Sequence, residues 1–243
     1  MIGMHLENAA GMWASKVAEP VRGRGYLLAE HDTGARVVIL DDTADAAEVM
    51  GLAPRRRLVV EDAFGVLEGF GGAEPGMPIM VRRLGGADAA SSAARRPGGA
   101  DAATPAVRVE QVQDPETLAV AERVIVDGFP LPAYQPWEPG RALPAEVLKR
   151  PGWKVWIGWY DGEPAAAAYT FDDGTAVGVY WLATLPGQRS RGAGRAVLTT
   201  ALATAPERHF TLIATEAGRP LYESAGFEIA GDSVWHTRPP LES

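Results

Sequence analysis

Three arginines and two glycines stand close together in the stretch RSRGAGRAVL, residues 189–198, between two apolar stretches. The apolar stretch before it is typical of a strand, and the one after it, AVLTTALA, is typical of a helix. The first N–H groups of a helix lack partners within the helix and carry a partial positive charge, so phosphates bind there. Gly192 and Gly194 have no Cβ, and an anion can therefore approach their backbone closely. We interpret the stretch as a cradle for a pyrophosphate.

Two other phosphate-binding loops fit this stretch less well. A Walker A loop requires a Lys and a Ser or Thr after its last glycine, and both are absent here. The dinucleotide fingerprint requires Gly or Ala where Val197 stands, and its strand belongs to a βαβ unit rather than to an antiparallel meander. The alternative that remains for the loop by itself is a solvated, arginine-rich helix start.

Two motifs together resemble the GNAT superfamily of N-acetyltransferases, over about residues 107–238. That family carries [QR]-x-x-G-x-[GA] between its fourth strand and third helix, and residues 189–194 read RSRGAG. Its second signature, LYExxGF, is found at residues 221–227. The resemblance implies an α+β fold with a mixed, mostly antiparallel, twisted sheet flanked by helices. Because half-copies of the fold precede the working one in some relatives, the smaller N-terminal α+β region could be a degenerate half-copy.

The resemblance implies acetyl-CoA as the acetyl donor. The backbone of Leu182, Ala183 and Thr184 would hold the pantetheine and acetyl groups as an added strand is held, and one N–H would stabilise the developing oxyanion. Relatives often have Asn seven residues before the Tyr of the second motif, where this chain has Thr215. The residues expected around the pyrophosphate are Arg189, Ser190, Arg191, Gly192, Ala193, Gly194 and Arg195.

Tyr222 occupies the position of the family's general acid. A phenol with a pKa of about 10 can donate a proton to the departing thiolate when it is well placed. The alternative is a tyrosine that packs its ring at a helix end and exposes its hydroxyl. A general base is not indicated, because the strand GVYWLAT carries no carboxylate. We therefore expect direct transfer of an acetyl group to a primary amine of an unidentified acceptor. The alternative is a catalytically weak acyl-CoA-binding regulatory or sensor protein.

The acceptor is expected to be a small molecule or a peptide. Its pocket would be lined by the proline-rich segment FPLPAYQPWEP, where Tyr134 and Trp137 are the residues to test, since long irregular segments often build binding walls. Trp153, Trp156 and Trp159 follow one another at a spacing of three, and for them we favour core packing in a strand.

Hydrophobic periodicity predicts the elements that position these residues. The N-terminal part reads as a helix at about 8–17, a helix capped by Thr43, and the strands GYLLAE, ARVVIL, RLVVED and MPIMVRRL. The C-terminal part begins with the strand VRVEQV, a helix at 115–127 capped by Asp114, and a short helix at 144–149. There follow an antiparallel meander (WKVWIGWY, AAAAYTF, AVGVYWLATL), a helix to about 205, the strand HFTLIAT, a helix through Tyr222, and a strand pair at GFEIA and VWHT.

The domain boundary is predicted at residues 85–106, which consist mostly of Gly, Ala, Ser, Asp and Pro and have little to bury. This predicts an N-terminal α+β region at 1–84, a linker, and a GNAT-like domain at 107–243. The N-terminal region could cover the acceptor site or form a homodimer.

Composition excludes several classes of site and partner. The absence of cysteine excludes disulfides and thiolate metal sites, and the four scattered histidines lack a metal-binding spacing, so no metal is expected. The net charge of −8 argues against a nucleic-acid partner. No apolar run reaches the roughly 20 residues that span a bilayer, and the first residues lack the pattern of a secretory signal. We expect a cytoplasmic protein without a membrane partner.

Overall fold

The computed structural model describes residues 1–85, 107–129 and 131–241, so most of the predicted linker lies outside the described residues. The chain divides into two compact units. The first comprises residues 1–81, 211–222 and 227–243, and the second comprises residues 82–210 and 223–226. Because residues 211–222 and 227–243 belong to the unit of the N-terminal part, the units differ from the ranges 1–84 and 107–243, which stay a prediction of the domains.

The secondary structure follows the order predicted from the sequence with three differences. The first helix lies at 2–14 instead of about 8–17, a short strand at 21–23 was not predicted, and the chain ends in one strand instead of two. The helices are α1 (Ile2–Ala14), α2 (Ala46–Gly51), α3 (Pro115–Gly128), α4 (Ala193–Ala203) and α5 (Arg219–Ser224). Short 3-10 helices lie at Pro132–Tyr134, Ala145–Lys149 and Pro186–Gln188. The strands are β1 (Val21–Gly23), β2 (Tyr26–His31), β3 (Gly34–Ile39), β4 (Leu58–Asp62), β5 (Met77–Arg82), β6 (Val107–Gln111), β7 (Trp153–Tyr160), β8 (Glu163–Asp172), β9 (Ala176–Thr184), β10 (His209–Ile213) and β11 (Glu228–Arg238).

The sheet of the first unit has the strand order β1-β2-β3-β4-β11-β5-β10. Strands β3 and β4 are parallel, with α2 between them in the chain, and β4 and β5 are each antiparallel to β11. The predicted pair of final strands is wrong, because residues 228–238 form one long strand. A register shift between Ile229 and Gly231 marks a bulge, and pairing with β5 continues to Ser233. From Val234 onward β11 pairs with β4.

Helix α2 begins at a different cap from the one predicted. The carboxylate of Asp45 accepts the N–H of Glu48 at 2.8 Å. Thr43, the predicted cap, instead donates its N–H to the carboxylate of Asp41 at 2.9 Å. The loop before α2 is therefore closed by its own acidic side chains. The apolar face of α2 packs through Val49 on the buried side chains of β2, β3 and β4.

A buried polar network links three elements of the first unit. Nδ1 of His5, on α1, lies 2.9 Å from the hydroxyl of Thr211 on β10. Nε2 of the same imidazole lies 3.0 Å from the carboxylate of Glu61 on β4. The three side chains are almost fully buried. Because buried polar groups are costly without partners, this network fixes the position of α1 on the sheet.

The second unit contains the predicted meander, in the order β9-β8-β7-β6 with antiparallel pairs. Helices α3 and α4 pack on it. As predicted, α3 starts behind Asp114, whose carboxylate accepts the N–H of Thr117 at 2.7 Å. Small side chains on β8 leave room for α4, whose Val197 contacts the sheet at Gly158. A Cβ at Gly158 would lie 2.8 Å from Val197, so glycine is required there.

The predicted α+β class with mixed, mostly antiparallel strands is confirmed. Within the described residues, each helix is too short or too polar to cross a membrane.

Candidate functional site

The arginine- and glycine-rich stretch forms the turn that leads into α4. Ser190 (φ +62°) and Gly192 (φ +83°) adopt the left-handed conformation, and Gly192 is the N-cap of the helix. The carbonyl of Gly192 accepts the N–H of Ala196 at 2.9 Å, and no side chain caps the helix. The N–H groups of residues 193–195 precede the first intrahelical bond and have no partner within the helix. Gly192 and Arg195 are exposed residues, whereas Ala193 and Gly194 are buried. A Cβ placed on Gly192 would meet no atom within 4 Å, so this side of the turn is open.

Two guanidinium groups add positive charge around this turn. Arg191 and Arg195 are exposed. Arg191 lies over the ring of Tyr160, 5.1 Å from its centroid, and donates to the side chain of Gln188 at 3.3 Å. The helix dipole has the same sign as these charges at this end of α4. The arrangement suits a small dianion such as a pyrophosphate.

Arg189 differs from Arg191 and Arg195, because its guanidinium donates to two backbone carbonyl groups. Nε lies 3.4 Å from the carbonyl oxygen of Thr184, at the end of β9. A terminal nitrogen lies 3.4 Å from that of Gly128, at the end of α3. A Cβ at Gly128 would approach both Ala183 and Thr184 to 3.2 Å, so α3 ends close against β9. Arg189 therefore holds these two segments together.

Strand β9 bulges directly before the residues predicted to hold the acyl group. Tyr180 pairs with Tyr169 of β8, and Ala183 pairs with Ala167, so Trp181 and Leu182 together oppose one residue. Trp181 has φ +50°, a left-handed conformation that costs a bulky residue about 1–3 kcal/mol. After the bulge Ala183 and Thr184 return to regular pairing with β8. A bulge re-aims side chains, and such distortions are frequent next to active sites.

Aromatic side chains surround the bulge. The ring of Trp181 makes edge contacts with Tyr169 (5.4 Å between centroids) and Tyr134 (5.8 Å). Tyr169 is fully buried and stacks on Trp153 at 4.9 Å and on Tyr180 at 5.3 Å. Of the two predicted acceptor residues, Tyr134 thus lies beside the bulge.

Trp137, the other predicted acceptor residue, packs elsewhere. Its ring lies under the guanidinium of Arg123 on α3, at 5.4 Å. Its indole N–H is buried without a hydrogen-bond partner among the described residues. Tyr134 and Trp137 are therefore held by different contacts, although both belong to the segment after α3.

Glu122 is a buried carboxylate that the motifs did not indicate. It accepts the N–H groups of Gly140 (2.6 Å), Ala142 (2.6 Å) and Leu143 (2.8 Å), and so ties the residues directly after the proline-rich segment to α3. Its position four residues after the buried Leu118 places it on the inner face of α3. An acidic residue on an apolar helix face was the available signal in the sequence.

Thr215 and Tyr222 lie in the first unit, whereas the cradle, the acyl-holding strand and the acceptor residues lie in the second. The hydroxyl of Thr215 accepts the N–H of Gly218 at 3.2 Å, in the turn that opens α5. Tyr222 is 8% exposed and its ring makes an edge contact with Phe227. Burial raises the pKa of Tyr222 to about 12. The described residues contain no cluster of His, Asp or Glu that could hold a metal.

Comparison with known families identifies the C-terminal part. Residues 151–229 match the family model described as the acetyltransferase (GNAT) domain, which confirms the resemblance over that range. This range contains β9, the cradle and Tyr222. No curated protein matches the sequence.

Solved structures share the fold over nearly the whole chain. A GCN5-related N-acetyltransferase from Kribbella flavida is 17% identical with a TM-score of 0.64, over 98% of this chain and 95% of that chain. A conserved protein of unknown function from Staphylococcus epidermidis is 11% identical with a TM-score of 0.62, over 94% of this chain and 100% of that one. A tandem GNAT protein from the clavulanic acid biosynthesis pathway is 16% identical with a TM-score of 0.59, over 96% and 88%. At these identities the comparison shows the fold alone.

Proposed function

We propose that this chain transfers an acetyl group from acetyl-CoA to a primary amine. The observation that carries the proposal is the start of α4, where Gly192 exposes the backbone and the exposed guanidinium groups of Arg191 and Arg195 flank it. This start follows a bulged strand within the range that matches the acetyltransferase domain. A homodimer and a cytoplasmic location stay predictions from the sequence.

The donor side of the proposed site consists mainly of backbone. The N–H groups of Ala193, Gly194 and Arg195 would hold the pyrophosphate, with Arg191 and the Arg195 side chain adding charge. Acetyl-CoA supplies an activated thioester carbonyl. In our proposal a main-chain N–H of residues 182–184 donates to its oxygen, where negative charge develops as the amine attacks.

Thr215 has a limited part in this proposal. Its hydroxyl already accepts the N–H of Gly218, which leaves one lone pair and its hydrogen for a ligand. An asparagine side chain, which relatives often have at this position, offers two N–H donors and a carbonyl acceptor. We therefore expect Thr215 to contribute little to the affinity for acetyl-CoA.

Tyr222 is proposed as the group that stabilises the departing sulfur. Because its pKa is raised to about 12, its phenol carries a proton at every physiological pH. The pKa of an ordinary thiol is about 8.5, so complete proton transfer from this phenol to a thiolate would be uphill. We infer that Tyr222 acts by donating a hydrogen bond to the sulfur as negative charge accumulates, rather than as a free acid.

Calorimetry with acetyl-CoA tests the donor site. Arg191→Glu changes the charge beside the pyrophosphate by two, and we expect the dissociation constant to rise about tenfold or more. Arg22→Glu, which makes the same change at an exposed strand of the first unit, serves as the matched control and should leave binding unchanged. Equal affinity of wild type and Arg191→Glu, or no binding at millimolar acetyl-CoA, contradicts the proposal.

Release of free CoA across a panel of amines then separates a transferase from a sensor. A transferase releases CoA faster in the presence of its acceptor than in buffer. A catalytically weak binding protein, the alternative, binds acetyl-CoA but shows no acceleration with any amine.

A further inference from the structure

We propose that the acceptor is a primary amine carried on an aromatic ring by a short alkyl arm, and that Trp181 and Tyr134 recognise the ring. The inference rests on the proposed acetyl transfer and adds the class of acceptor. It starts from the edge contact of these two rings, 5.8 Å between centroids, immediately before the strand segment 182–184.

The bulge of β9 determines where Trp181 lies. One extra residue in the strand changes the direction of the following side chains, and a left-handed φ of +50° at a tryptophan persists only where neighbouring contacts impose it. The contacts that do so are Tyr169 of β8 on one side and Tyr134 of the segment after α3 on the other. Trp181 thus joins the strand to the predicted acceptor segment.

The two rings stand on a rigid aromatic base. Tyr169 is fully buried and stacks between Trp153 and Tyr180, whereas Trp181 and Tyr134 are each partly exposed. They are the solvent-facing end of a continuous aromatic cluster within the second unit. Aromatic pairs at such distances contribute about 0.5–1.5 kcal/mol beyond their buried area, so a substrate ring is the partner that this end fits best.

The segment that carries Tyr134 is held before any acceptor binds. The side-chain amide of Gln135 donates to the carbonyl of Val126 at 3.3 Å. Farther along, the Glu122 carboxylate holds three N–H groups at residues 140–143. A preorganised binding surface loses little conformational entropy when a ligand binds, which favours recognition of a rigid group such as a ring.

Spacing along the strand sets the length of the alkyl arm. Two residues of chain span at most about 7 Å, so Trp181 lies within about 7 Å of Ala183, the middle residue of the segment proposed to hold the acetyl group. A ring with a two-carbon arm places its amine within this distance. The ring is recognised at Trp181, and the amine reaches the thioester.

Two carboxylates on α3 already have partners, which disfavours an acceptor with a second positive charge. Asp127 pairs with Arg123 at 3.3 Å, and the Glu122 carboxylate is bonded to three N–H groups. These carboxylates are therefore not free to bind the second ammonium of a polyamine.

Acetylation of four amines by the full chain tests the proposal: phenethylamine, hexylamine, phenylalanine and spermidine. We expect kcat/KM for phenethylamine to exceed that for hexylamine about tenfold, since two aromatic contacts are gained. We expect kcat/KM for phenylalanine and for spermidine to be lower than that for phenethylamine. Equal or greater use of hexylamine, phenylalanine or spermidine overturns the inference while leaving acetyl transfer intact. A wild-type chain that binds no acetyl-CoA overturns both.

Substitutions of Tyr134 and Trp181 show whether these rings recognise the acceptor. Tyr134→Leu should raise KM for phenethylamine about tenfold, with little change in the affinity for acetyl-CoA. Trp181→Asn should do the same, because asparagine tolerates the left-handed backbone of the bulge. Trp159→Leu, which removes another partly buried tryptophan of the second unit, is the control and should leave KM unchanged. An unaltered KM in Tyr134→Leu, which does not touch the bulge, contradicts the assignment even if Trp181→Asn fails to fold.

Discussion

The guanidinium of Arg189 donates to the carbonyl oxygen of Gly128 at 3.4 Å, across 61 residues of sequence. Gly128 is the last residue of α3, and a cation at this end of a helix satisfies a free carbonyl and complements the dipole. The second contact of Arg189, to Thr184, joins the same guanidinium to the end of β9. Arg189, the first arginine of the motif, therefore has a structural role: it joins the ends of α3 and β9. The motif alone predicted only a contact with a phosphate.

Arg189→Ala should therefore lower stability more than it lowers ligand affinity. We expect a loss of about 1–2 kcal/mol in the free energy of unfolding, measured by urea denaturation, because two hydrogen bonds from a charged group are removed. The rise in the acetyl-CoA dissociation constant should be smaller than in Arg191→Glu. A large loss of affinity without loss of stability would assign Arg189 to the ligand instead.

Tyr222→Phe should lower kcat at least tenfold and leave the affinity for acetyl-CoA unchanged. The phenylalanine keeps the edge contact with Phe227, and only the hydrogen that reaches the sulfur is lost. Tyr26→Phe is the matched control, because it removes a phenol that is bonded to Glu48 at 2.7 Å and lies outside the proposed site. The measurement is kcat from steady-state kinetics with the best acceptor. An unaltered kcat would mean that another group donates the hydrogen bond to the sulfur.

The pH dependence of kcat gives an independent check on Tyr222. With a pKa of about 12, the phenol stays protonated as the pH rises from 7 to 10. Loss of its proton should therefore cause no fall in kcat over that range. A fall near pH 10 that disappears in Tyr222→Phe would show that the phenol ionises like an ordinary tyrosine.

His5→Ala should destabilise the first unit strongly. It leaves Glu61 and Thr211 buried without their imidazole partner, and a buried polar group without a hydrogen bond costs about 1–3 kcal/mol. The double variant His5→Leu, Glu61→Leu removes both polar groups and should recover most of that loss. Urea denaturation followed by tryptophan fluorescence measures both. A double variant as unstable as the sum of the two single losses would mean that packing, not charge, dominates there.

Acid should destabilise the protein partly through His31. Burial, then the charges of Arg36, Lys16 and Arg56, lower the pKa of His31 to about 4, while Asp32 opposes them. The folded state thus favours the neutral imidazole, which stacks on Trp13. This contribution is complete above the unfolded pKa of about 6.5 and is lost as the pH falls to 4.

Comparison with His31→Gln isolates that contribution from the carboxylates that titrate in the same range. Between pH 7 and pH 4 the melting temperature of the wild type should fall further than that of the variant. Parallel curves would contradict the lowered pKa.

Local patterns predicted most of the elements and the glycine start of α4 because their causes are local. Asp114 before Pro115 fixes the start of α3, and Gly192 before an apolar helix fixes the start of α4, whatever the rest of the chain does. The meander followed from alternation and from tight turns at Asp-Gly dipeptides.

The features that the sequence did not predict depend on contacts between residues distant in sequence. The last strand is continuous because its first part, to Ser233, pairs with β5 and its second part, from Val234, pairs with β4. Nothing in GFEIA or VWHT reveals either partner. The left-handed Trp181 arises from pairing of β9 with β8 and from rings 12 and 47 residues away in the chain. Arg189 and Glu122 are similar cases, since their partners are backbone groups that carry no sequence signal.

Helix α2 follows β3 and precedes β4, just as α4 follows β9 and precedes β10. The two helix starts differ in charge. The carboxylate of Asp45 caps α2, whereas the N-cap of α4 is Gly192, which has no side chain. An anionic carrier would be repelled at the first and attracted at the second. Saturation with acetyl-CoA should accordingly end at one equivalent per chain, and the N-terminal segment would serve the molecule as scaffold rather than as a second catalytic centre.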